Sequence, residues 1–325
     1  MSKTSLNSIE LCAGGGGQAL GLERAGFGHE ALVEIDPWAR KTLNLNRPQW
    51  NVLEGDQADL TTFDAAPYKG IDLVAGGVPC PPFSKAGKQL GANDERDLFP
   101  DAVRVVDETR PKAVMLENVR GFLDAVFHDY RLNLKKQLKK LGYGLVDWHL
   151  YNASDFGVSQ LRPRVVIVAI HNDYLDAFKW PTGGHETPPT VGQLLYPQMA
   201  ANGWKGAAKW RDGADEIAPT LVGGSKKHGG PDLGPTRAKK AWAALGVNGM
   251  TLAEEAPERD FVGMPRLTVQ MAAKVQGFPD DWIFAGKKTN AYRQVGNAFP
   301  PPVAAAVATN IRSAIENTQK IYAVA

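Results

Sequence analysis

Short runs of aliphatic and β-branched residues alternate with helix-like segments from the N-terminus to about residue 170. This alternation favours a parallel sheet with helices on its faces, because a helix usually supplies the crossover between parallel strands. Leucines at three- and four-residue spacing also predict an amphipathic helix over 131–141. The predicted strands are Ser8–Cys12, Ala31–Ile35, Ile71–Ala75, Ala113–Leu116 and Val165–Ile170. The sequence therefore predicts an α/β fold.

The composition changes sharply after this region. Of the 55 residues from Pro181 to Pro235, 18 are Gly or Pro, which argues against long helices and central strands. We therefore expect a loop-rich second domain to begin there. The α/β character returns near the C-terminus, where the alanine-rich segment Pro302–Ile315 should be a helix that the prolines before it initiate.

Charge is distributed unevenly along the chain. Residues 201–250 carry eight Lys or Arg residues against four Asp or Glu residues, a net charge of +4 in a chain whose formal net charge is +2. A basic surface beside a neutral body fits contact with phosphates. A solvated loop region would explain the same charges, and charge alone leaves both interpretations open.

Composition also limits the compartment and the kinds of site. No apolar run approaches the roughly 20 residues of a membrane span, and the N-terminus lacks the features of a secretory signal, so a cytoplasmic protein is expected. The two cysteines, Cys12 and Cys80, are too few for a disulfide framework. No Cys or His spacing is typical of a structural zinc, so no metal site is predicted.

Two features near the N-terminus predict a nucleoside-containing cofactor. The first strand ends in the glycine-rich turn Ala13–Gly17, which lets the backbone approach a ligand at the carboxyl edge of the sheet. The next strand ends in Glu34-Ile35-Asp36, where an acid accepts hydrogen bonds from ribose hydroxyls. Asp56 follows another short extended run and is a candidate for an adenine amino group, although an Asp after Gly is more often a turn residue.

Cys80 lies in a proline-flanked loop, Gly76–Ser84, directly after the strand that ends at Ala75. Loops at the carboxyl edge of such a sheet carry active sites. A structural cysteine would more usually lie within an apolar run, as Cys12 does. Cys80 is therefore a candidate nucleophile.

Two further segments bring charge to the same edge. Glu117-Asn118 follows the strand Ala113–Leu116, and a carboxyl group there can protonate a ring nitrogen while a nucleophile adds to the ring. Arg162 and Arg164 are two residues apart, so in an extended segment both point to one side. They are candidates to fix a carboxylate, a flipped base or a DNA phosphate.

The order of these segments resembles the successive motifs of DNA cytosine carbon-5 methyltransferases of the bacterial restriction-modification type. The resemblance covers nearly the whole chain. The matching segments are Glu10-Leu11-Cys12-Ala13-Gly14, Glu34-Ile35-Asp36, Gly55-Asp56, Pro79-Cys80, Glu117-Asn118-Val119, Gln160-Leu161-Arg162-Pro163-Arg164, Gln276-Gly277-Phe278-Pro279 and Arg293-Gln294-Val295-Gly296-Asn297-Ala298.

The resemblance implies a cofactor and a mechanism. Cys80 would attack the cytosine ring, Glu117 would engage it beside Asn118, and Arg162 and Arg164 would support that acid. The cofactor would be S-adenosylmethionine, with S-adenosylhomocysteine as its product. Residues implied in binding it are Cys12, Ala13, Gly14, Gly16, Gly17, Glu34, Ile35, Asp56, Pro79, Leu98, Asn297 and Ala298. Residues expected to contact nucleic acid are Ser84, Thr220, Lys226 and Lys227.

The resemblance also implies a division of the chain. Residues 1–183, completed by 285–325, would form a cofactor-binding and catalytic domain with a Rossmann-like methyltransferase sheet. Residues 184–284 would form a smaller, loop-rich target-recognition domain. The partner would be double-stranded DNA. We expect a monomer, with no membrane partner and with a companion restriction endonuclease as an open possibility.

This chain departs from many members of the family at two positions. Cys12 stands where many members carry an aromatic residue, which puts stacking on an adenine in doubt. Pro81 stands where many carry Gln after the catalytic cysteine. Neither change removes a group that the chemistry requires.

Four other functions are each consistent with part of the sequence. Cys80-Pro81-Pro82-Phe83 superficially resembles the signature of amino-group DNA methyltransferases, but those enzymes place Asp, Asn or Ser before the two prolines. A methyltransferase of similar fold that acts on transfer RNA would have less need of a recognition region of some hundred residues. A nicotinamide-dependent dehydrogenase would use the glycine-rich turn without the Cys80 loop. A non-catalytic DNA-binding module would not require the full set of motifs.

Overall fold

The computed structural model describes residues 6–79, 97–184, 187–223 and 230–324, with side chains of the last helix described to residue 318. Four of the residues predicted from the sequence, Cys80, Ser84, Lys226 and Lys227, lie outside the described residues.

A six-stranded sheet in the order β2-β1-β3-β4-β6-β5 forms the centre of the described structure. Its strands are β1 (Leu6–Leu11), β2 (Phe27–Val33), β3 (Leu73–Gly76), β4 (Ala113–Val119), β5 (Tyr143–Asn152) and β6 (Pro163–His171). β1 to β4 are parallel to one another, as predicted. β6 runs antiparallel to both of its neighbours, so the prediction of a parallel sheet was wrong for this strand.

The direction of β6 follows from β5, which the sequence pattern did not reveal. Asp147 and His149 interrupt the apolar residues of β5, as an edge strand allows. Ten residues without an α-helix separate β5 from β6. A parallel return needs a crossover of roughly a dozen residues or more, usually helical, so the chain returns antiparallel. The start of β6 therefore lies beside the end of β4, at the carboxyl ends of the parallel strands.

Helices cover both faces of this sheet. Because successive side chains of a strand point to opposite faces, Ala75 and Met115 pack with α1 and α10, whereas Val74 and Val114 pack with α3 and α4. The predicted helices over 131–141 and 302–315 are confirmed as α4 and α10. The helices are α1 (Gly17–Arg24), α2 (Pro37–Asn46), α3 (Phe99–Thr109), α4 (His128–Lys140), α5 (Val191–Met199), α6 (Ala207–Gly213), α7 (Thr236–Ala244), α8 (Val269–Val275), α9 (Lys288–Asn297) and α10 (Pro301–Val324).

The Gly/Pro-rich region and the residues directly after it contain short helices joined by loops, α5 to α7, none longer than nine residues. Its apolar residues share one cluster with residues of the N-terminal half, among them Leu20, Leu43 and Trp50. Trp242 and Trp282 are wholly buried in this cluster. None of the helices in the described part of the chain is both long and apolar enough to span a bilayer.

Candidate active site

A cavity of about 330 Å³ opens where the parallel strands end. The carboxyl ends of β1, β2, β3 and β4 form one side, and the end of α9 with the turn into α10 forms the other. Predicted site residues that line the cavity are Cys12, Ala13, Gly14, Gly17, Glu34, Ile35, Pro79, Leu98, Glu117, Asn297 and Ala298. The fold thus brings together residues that are up to 286 positions apart in the chain, from Cys12 to Ala298.

The glycine-rich turn after β1 is shaped by backbone geometry. Gly14 and Gly16 have φ angles of 55° and 87°, in the left-handed region that glycine adopts without strain. A Cβ at Gly17 would lie 2.2 Å from the carbonyl oxygen of Phe299, so no side chain fits there. Cys12 also has a positive φ, 56°, which is uncommon for a residue with a Cβ.

Residues from the far end of the chain support this turn from behind. The indole Nε1 of Trp282 donates a hydrogen bond to the carbonyl of Gly15 at 3.1 Å. A Cβ at Gly16 would lie 2.8 Å from the Trp282 ring, and one at Gly15 would lie 2.9 Å from Phe284. The segment that follows the Gln276-Gly277-Phe278-Pro279 motif therefore fixes the position of the turn.

Glu34 is the buried acid at the end of β2. Its two carboxylate oxygens accept hydrogen bonds from the amides of Gly14 and Asp36, each at 2.7 Å. Burial raises the pKa of Glu34, and these two hydrogen bonds act against that rise. Asp36 caps α2 through the Trp38 amide at 2.9 Å and pairs with Arg293 at 3.3 Å.

Asp56 does not lie in the cavity wall. It is exposed, in a short turn of 3-10 helix over Gly55–Ala58. Asp59 and Leu60, three and four residues further along, line the cavity instead. The motif pattern pointed to Asp56 because of its place after glycine, and no comparable signal marked Asp59.

Glu117, near the end of β4, lies in the cavity wall at the carboxyl edge of the sheet. Its Oε1 lies 2.7 Å from Nε of Arg164, at the start of β6. Burial raises the pKa of Glu117, while the charges of Arg164 and Arg162 oppose the rise. A Cβ at Gly77 would lie 3.5 Å from Glu117 Oε2, so the carboxyl group faces the chain that leads to Pro79.

The chain on either side of residues 80–96 is anchored to this edge. The side-chain amide of Asn118 donates to the Val78 carbonyl at 3.1 Å. The Leu98 amide donates to the Pro79 carbonyl at 3.4 Å, so the two ends of the segment meet. Pro79 lines the cavity, and Cys80 is the next residue in the sequence.

Arg162 has different contacts from Arg164. Its guanidinium is wholly buried and donates to the carbonyls of Leu221, Gly296 and Ala298 at 2.7, 2.8 and 2.9 Å. It therefore ties the start of β6 to the end of α9, and its positive charge acts on Glu117 by lowering the pKa of that carboxyl group.

Gln160 and Gln276, for which no role was predicted, extend the hydrogen-bond network around Arg162. Gln160 Nε2 donates to Gln276 Oε1 at 2.7 Å, and Gln160 Oε1 accepts from the Leu221 amide at 2.8 Å. Gln276 in turn donates to the Ala298 carbonyl. The Thr220 hydroxyl donates a hydrogen bond to the Leu161 carbonyl, and this contact places Thr220 beside the network.

Comparison with known proteins agrees with the order of these elements. The model of the family described as C-5 cytosine-specific DNA methylase matches residues 6–313. The Type II methyltransferase M.NgoMIV of Neisseria gonorrhoeae is 57% identical over 95% of this chain and 98% of its own length. The Type II methyltransferase M.NaeI of Lentzea aerocolonigenes is 54% identical over 96% of this chain and 76% of its own length.

Solved structures share the fold at much lower sequence identity. The crystal structure of a DNMT2 mutant from Spodoptera frugiperda superposes with a TM-score of 0.62 at 19% identity, covering 95% of this chain and all of that one. The Dnmt2 methyltransferase of S. pombe gives a TM-score of 0.62 at 18% identity, covering 94% of this chain and 97% of that one. With the family model matched along almost its whole length, this chain belongs to the C-5 cytosine-specific DNA methylase family.

Proposed function

We propose that this DNA cytosine-5 methyltransferase takes a methyl group from S-adenosylmethionine and attaches it to a cytosine that has been flipped out of duplex DNA, through a covalent bond to Cys80. One observation carries the proposal. A single cavity is lined by the glycine-rich turn, by Glu34, by Pro79 and by Glu117. A cofactor and a reacting base would therefore meet at one edge of the sheet.

The residues of the cavity fit S-adenosylmethionine. The tight backbone at Gly17 and the left-handed turn before it allow close approach of a ligand. The Glu34 carboxylate is an acceptor suited to ribose hydroxyls. When bound, S-adenosylmethionine supplies an electrophilic methyl group. The other cavity-lining residues proposed to bind it are Cys12, Ala13, Gly14, Ile35, Pro79, Leu98, Asn297 and Ala298, and Asp59 replaces Asp56 as a candidate. Gly16 does not line the cavity, but its left-handed backbone shapes the turn that would approach the cofactor.

Cys80 is the proposed nucleophile because the other cysteine is unsuited to the role. Burial and the negative charges of Glu34 and Asp59 raise the pKa of the Cys12 thiol, so Cys12 stays protonated. A thiolate, not a thiol, attacks. Cys80 follows Pro79, and the positive charge of Arg164 lies at the same edge as Glu117.

Glu117 is the proposed acid. Burial raises the pKa of Glu117, which favours the protonated carboxyl group that donates to ring nitrogen 3 as a nucleophile adds at carbon 6. Arg164 holds the carboxyl group in place at 2.7 Å. Arg162 is then a positioning residue, since its hydrogen bonds go to backbone carbonyls.

The reaction balances with these groups. Addition of the Cys80 thiolate at carbon 6, with a proton from Glu117 at nitrogen 3, moves the electrons of the 5,6 double bond to carbon 5. Carbon 5 then forms its bond to the methyl group as the bond from that methyl to sulfur breaks. A base from solvent, a water molecule or hydroxide, removes the carbon 5 proton; this expels the Cys80 thiolate from carbon 6, restores the 5,6 double bond and returns the nitrogen 3 proton to Glu117. Because none of these steps fits inside a base-paired stack, the cytosine must be flipped out.

We assign recognition of the duplex to residues 184–284, and chemistry to 1–183 with 285–325. Chemistry on a flipped cytosine needs the same groups whatever the surrounding sequence, so base edges would be read elsewhere. The +4 charge of residues 201–250 supports phosphate contacts there, with Lys226 and Lys227 as candidates alongside Thr220, and Ser84 on the side of the catalytic loop.

The names of the similar proteins support a restriction-modification role. Both relatives reported above are called Type II methyltransferases. We therefore propose that the enzyme acts on double-stranded DNA and protects the site of a companion endonuclease. The monomer expected from the sequence stays a prediction.

Replacement of Cys80 should abolish the reaction. Cys80→Ser should lower transfer of tritiated methyl groups to unmethylated genomic DNA by at least about 10³-fold, because a hydroxyl is far less ionised than a thiol. Binding of S-adenosylhomocysteine should change little. Cys12→Ser is the matched control and should keep most activity, because serine preserves the size of this cavity-lining side chain and a protonated thiol is no nucleophile. Turnover by Cys80→Ser close to wild type would contradict the mechanism.

Glu117→Gln should lower the rate of methyl transfer and abolish part of its pH dependence. Since the acid acts when protonated, wild-type kcat/KM should fall as pH rises through the raised pKa of Glu117. The glutamine variant should be about 10²- to 10³-fold slower and lack that falling limb. Glu30→Gln, at an exposed carboxyl group, is the control. A variant that keeps the wild-type profile would rule out Glu117 as the acid.

Specificity should move with the recognition region. Exchanging residues 184 to about 265 for the equivalent stretch of a related enzyme with a known, different target should transfer that target. Bisulfite sequencing of DNA treated with the chimera reports the methylated word. If an active chimera still methylates the original word, the region does not read the sequence.

A further inference from the structure

Asp97, which directly follows the segment 80–96 that contains Cys80, is a buried acid. Only 8% of Asp97 is exposed, whereas aspartate side chains are mostly exposed unless they are paired. The hydroxyl group of Tyr130, in α4, donates to this carboxyl group and lies 2.7 and 2.8 Å from its two oxygens. The Phe99 amide, at the start of α3, donates to the same group at 3.1 Å. Asp97 is thus tied to both helices.

Aromatic packing fixes the direction of the Tyr130 side chain. Its ring meets the rings of Phe99 and Phe122 edge to face, with centroids 5.9 and 6.3 Å apart. Phe99 and Phe122 are buried and stack on each other at 5.6 Å. Edge-to-face and offset-stacked arrangements are the favourable ones for aromatic rings. The packing of the ring therefore aims the Tyr130 hydroxyl at Asp97.

Two residues connect Asp97 with the residue before the proposed nucleophile. Leu98 follows Asp97 in the chain, and its amide donates to the Pro79 carbonyl at 3.4 Å. Leu98 and Pro79 both line the cavity at the carboxyl edge of the sheet. Pro79 is directly followed by Cys80 in the sequence. A displacement of Asp97 would therefore shift the cavity wall and the chain that leads into Cys80.

A second, smaller cavity of about 70 Å³ lies beside the pair of Asp97 and Tyr130. Its lining includes both of these residues together with Phe99 and Leu134. This volume has room for at least one water molecule, and the Asp97 carboxyl group is a polar partner for it. If the Tyr130 hydroxyl were removed, water could take its place as a donor, so the fold should lose little stability. Water does not, however, hold Asp97 in one position relative to α4.

We infer that Tyr130, acting through Asp97, is a positioning residue for Cys80. The inference rests on the proposed function, in which Cys80 attacks the cytosine ring. Attack at carbon 6 requires the sulfur and the ring to meet in a narrow range of distances and angles, and a displacement of about 1 Å can cost roughly 10²-fold in rate. Tyr130 is not among the described residues that line the cavity at the sheet edge. Its effect on the reaction therefore passes through Asp97, Leu98 and Pro79.

Tyr130→Phe tests the inference because it removes only the hydroxyl group and keeps the ring. The measurement is the single-turnover rate at which the full-length protein forms a covalent complex with duplex DNA that contains 5-fluorocytosine, with S-adenosylmethionine present. This rate should fall about 10-fold or more. Affinity for S-adenosylhomocysteine should stay within about twofold of wild type. Tyr143→Phe is the matched control and should keep the wild-type rate, because the Tyr143 hydroxyl donates to the Pro111 carbonyl at 2.8 Å, at the opposite end of β4 from Glu117.

Asp97→Asn tests the other half of the pair. Asparagine keeps the size of the side chain and an acceptor for the Phe99 amide, but it lacks the charge that strengthens a hydrogen bond from Tyr130. This variant should also form the covalent complex more slowly and bind S-adenosylhomocysteine normally. The double variant should be no more than about twofold slower than the slower single variant, because both changes break the same contact.

The outcomes separate this inference from the function it rests on. Wild type that forms no covalent complex would overturn the proposed function and the inference with it. The inference alone would be overturned if Tyr130→Phe kept the wild-type rate, if Tyr143→Phe slowed equally, or if the two losses multiplied in the double variant. Thermal unfolding reports whether each variant is folded. If Tyr130→Phe is not, the rate and the S-adenosylhomocysteine affinity of Asp97→Asn decide the question.

Discussion

Glu117 and Arg164 can form an ion pair because β6 runs antiparallel to β4. The end of one strand and the start of the other then lie at the same edge of the sheet, and the two side chains meet at 2.7 Å. The same strand direction brings Arg162 under the end of α9, where it holds Gly296 and Ala298. The Glu117 carboxyl group, its partner Arg164 and the cavity wall at the end of α9 therefore all depend on the antiparallel direction of β6.

The second constraint is that residues near the C-terminus pack against the glycine-rich turn near the N-terminus and fix its shape. Trp282 and Phe284 lie behind the turn at Gly15 and Gly16, and the carbonyl of Phe299 leaves no room for a side chain at Gly17. The glycines of the turn are thus required by protein packing as well as by any ligand. A change at Trp282, far from the turn in sequence, would alter the cavity directly.

Much of this arrangement is predictable from the sequence, and the exceptions have physical reasons. Runs of aliphatic residues revealed β1, β3 and β4, but β5 carries polar residues at the sheet edge and escaped notice, so the reversal of β6 was missed. Asp56 fits a motif yet is exposed, because motif spacing does not report which residue of a turn faces a cavity.

The proposed mechanism depends on a covalent bond between Cys80 and a cytosine ring, and a mechanism-based trap measures that bond directly. The substrate is long duplex DNA in which 5-fluorocytosine replaces cytosine, so that it contains many different sequences. The covalent adduct is trapped because fluorine cannot leave carbon 5 as a proton does. With S-adenosylmethionine present, wild type and Cys12→Ser should form a protein–DNA complex that survives heating in detergent, and Cys80→Ser should form none. If wild type forms no such complex, or Cys80→Ser forms it equally well, the account is contradicted.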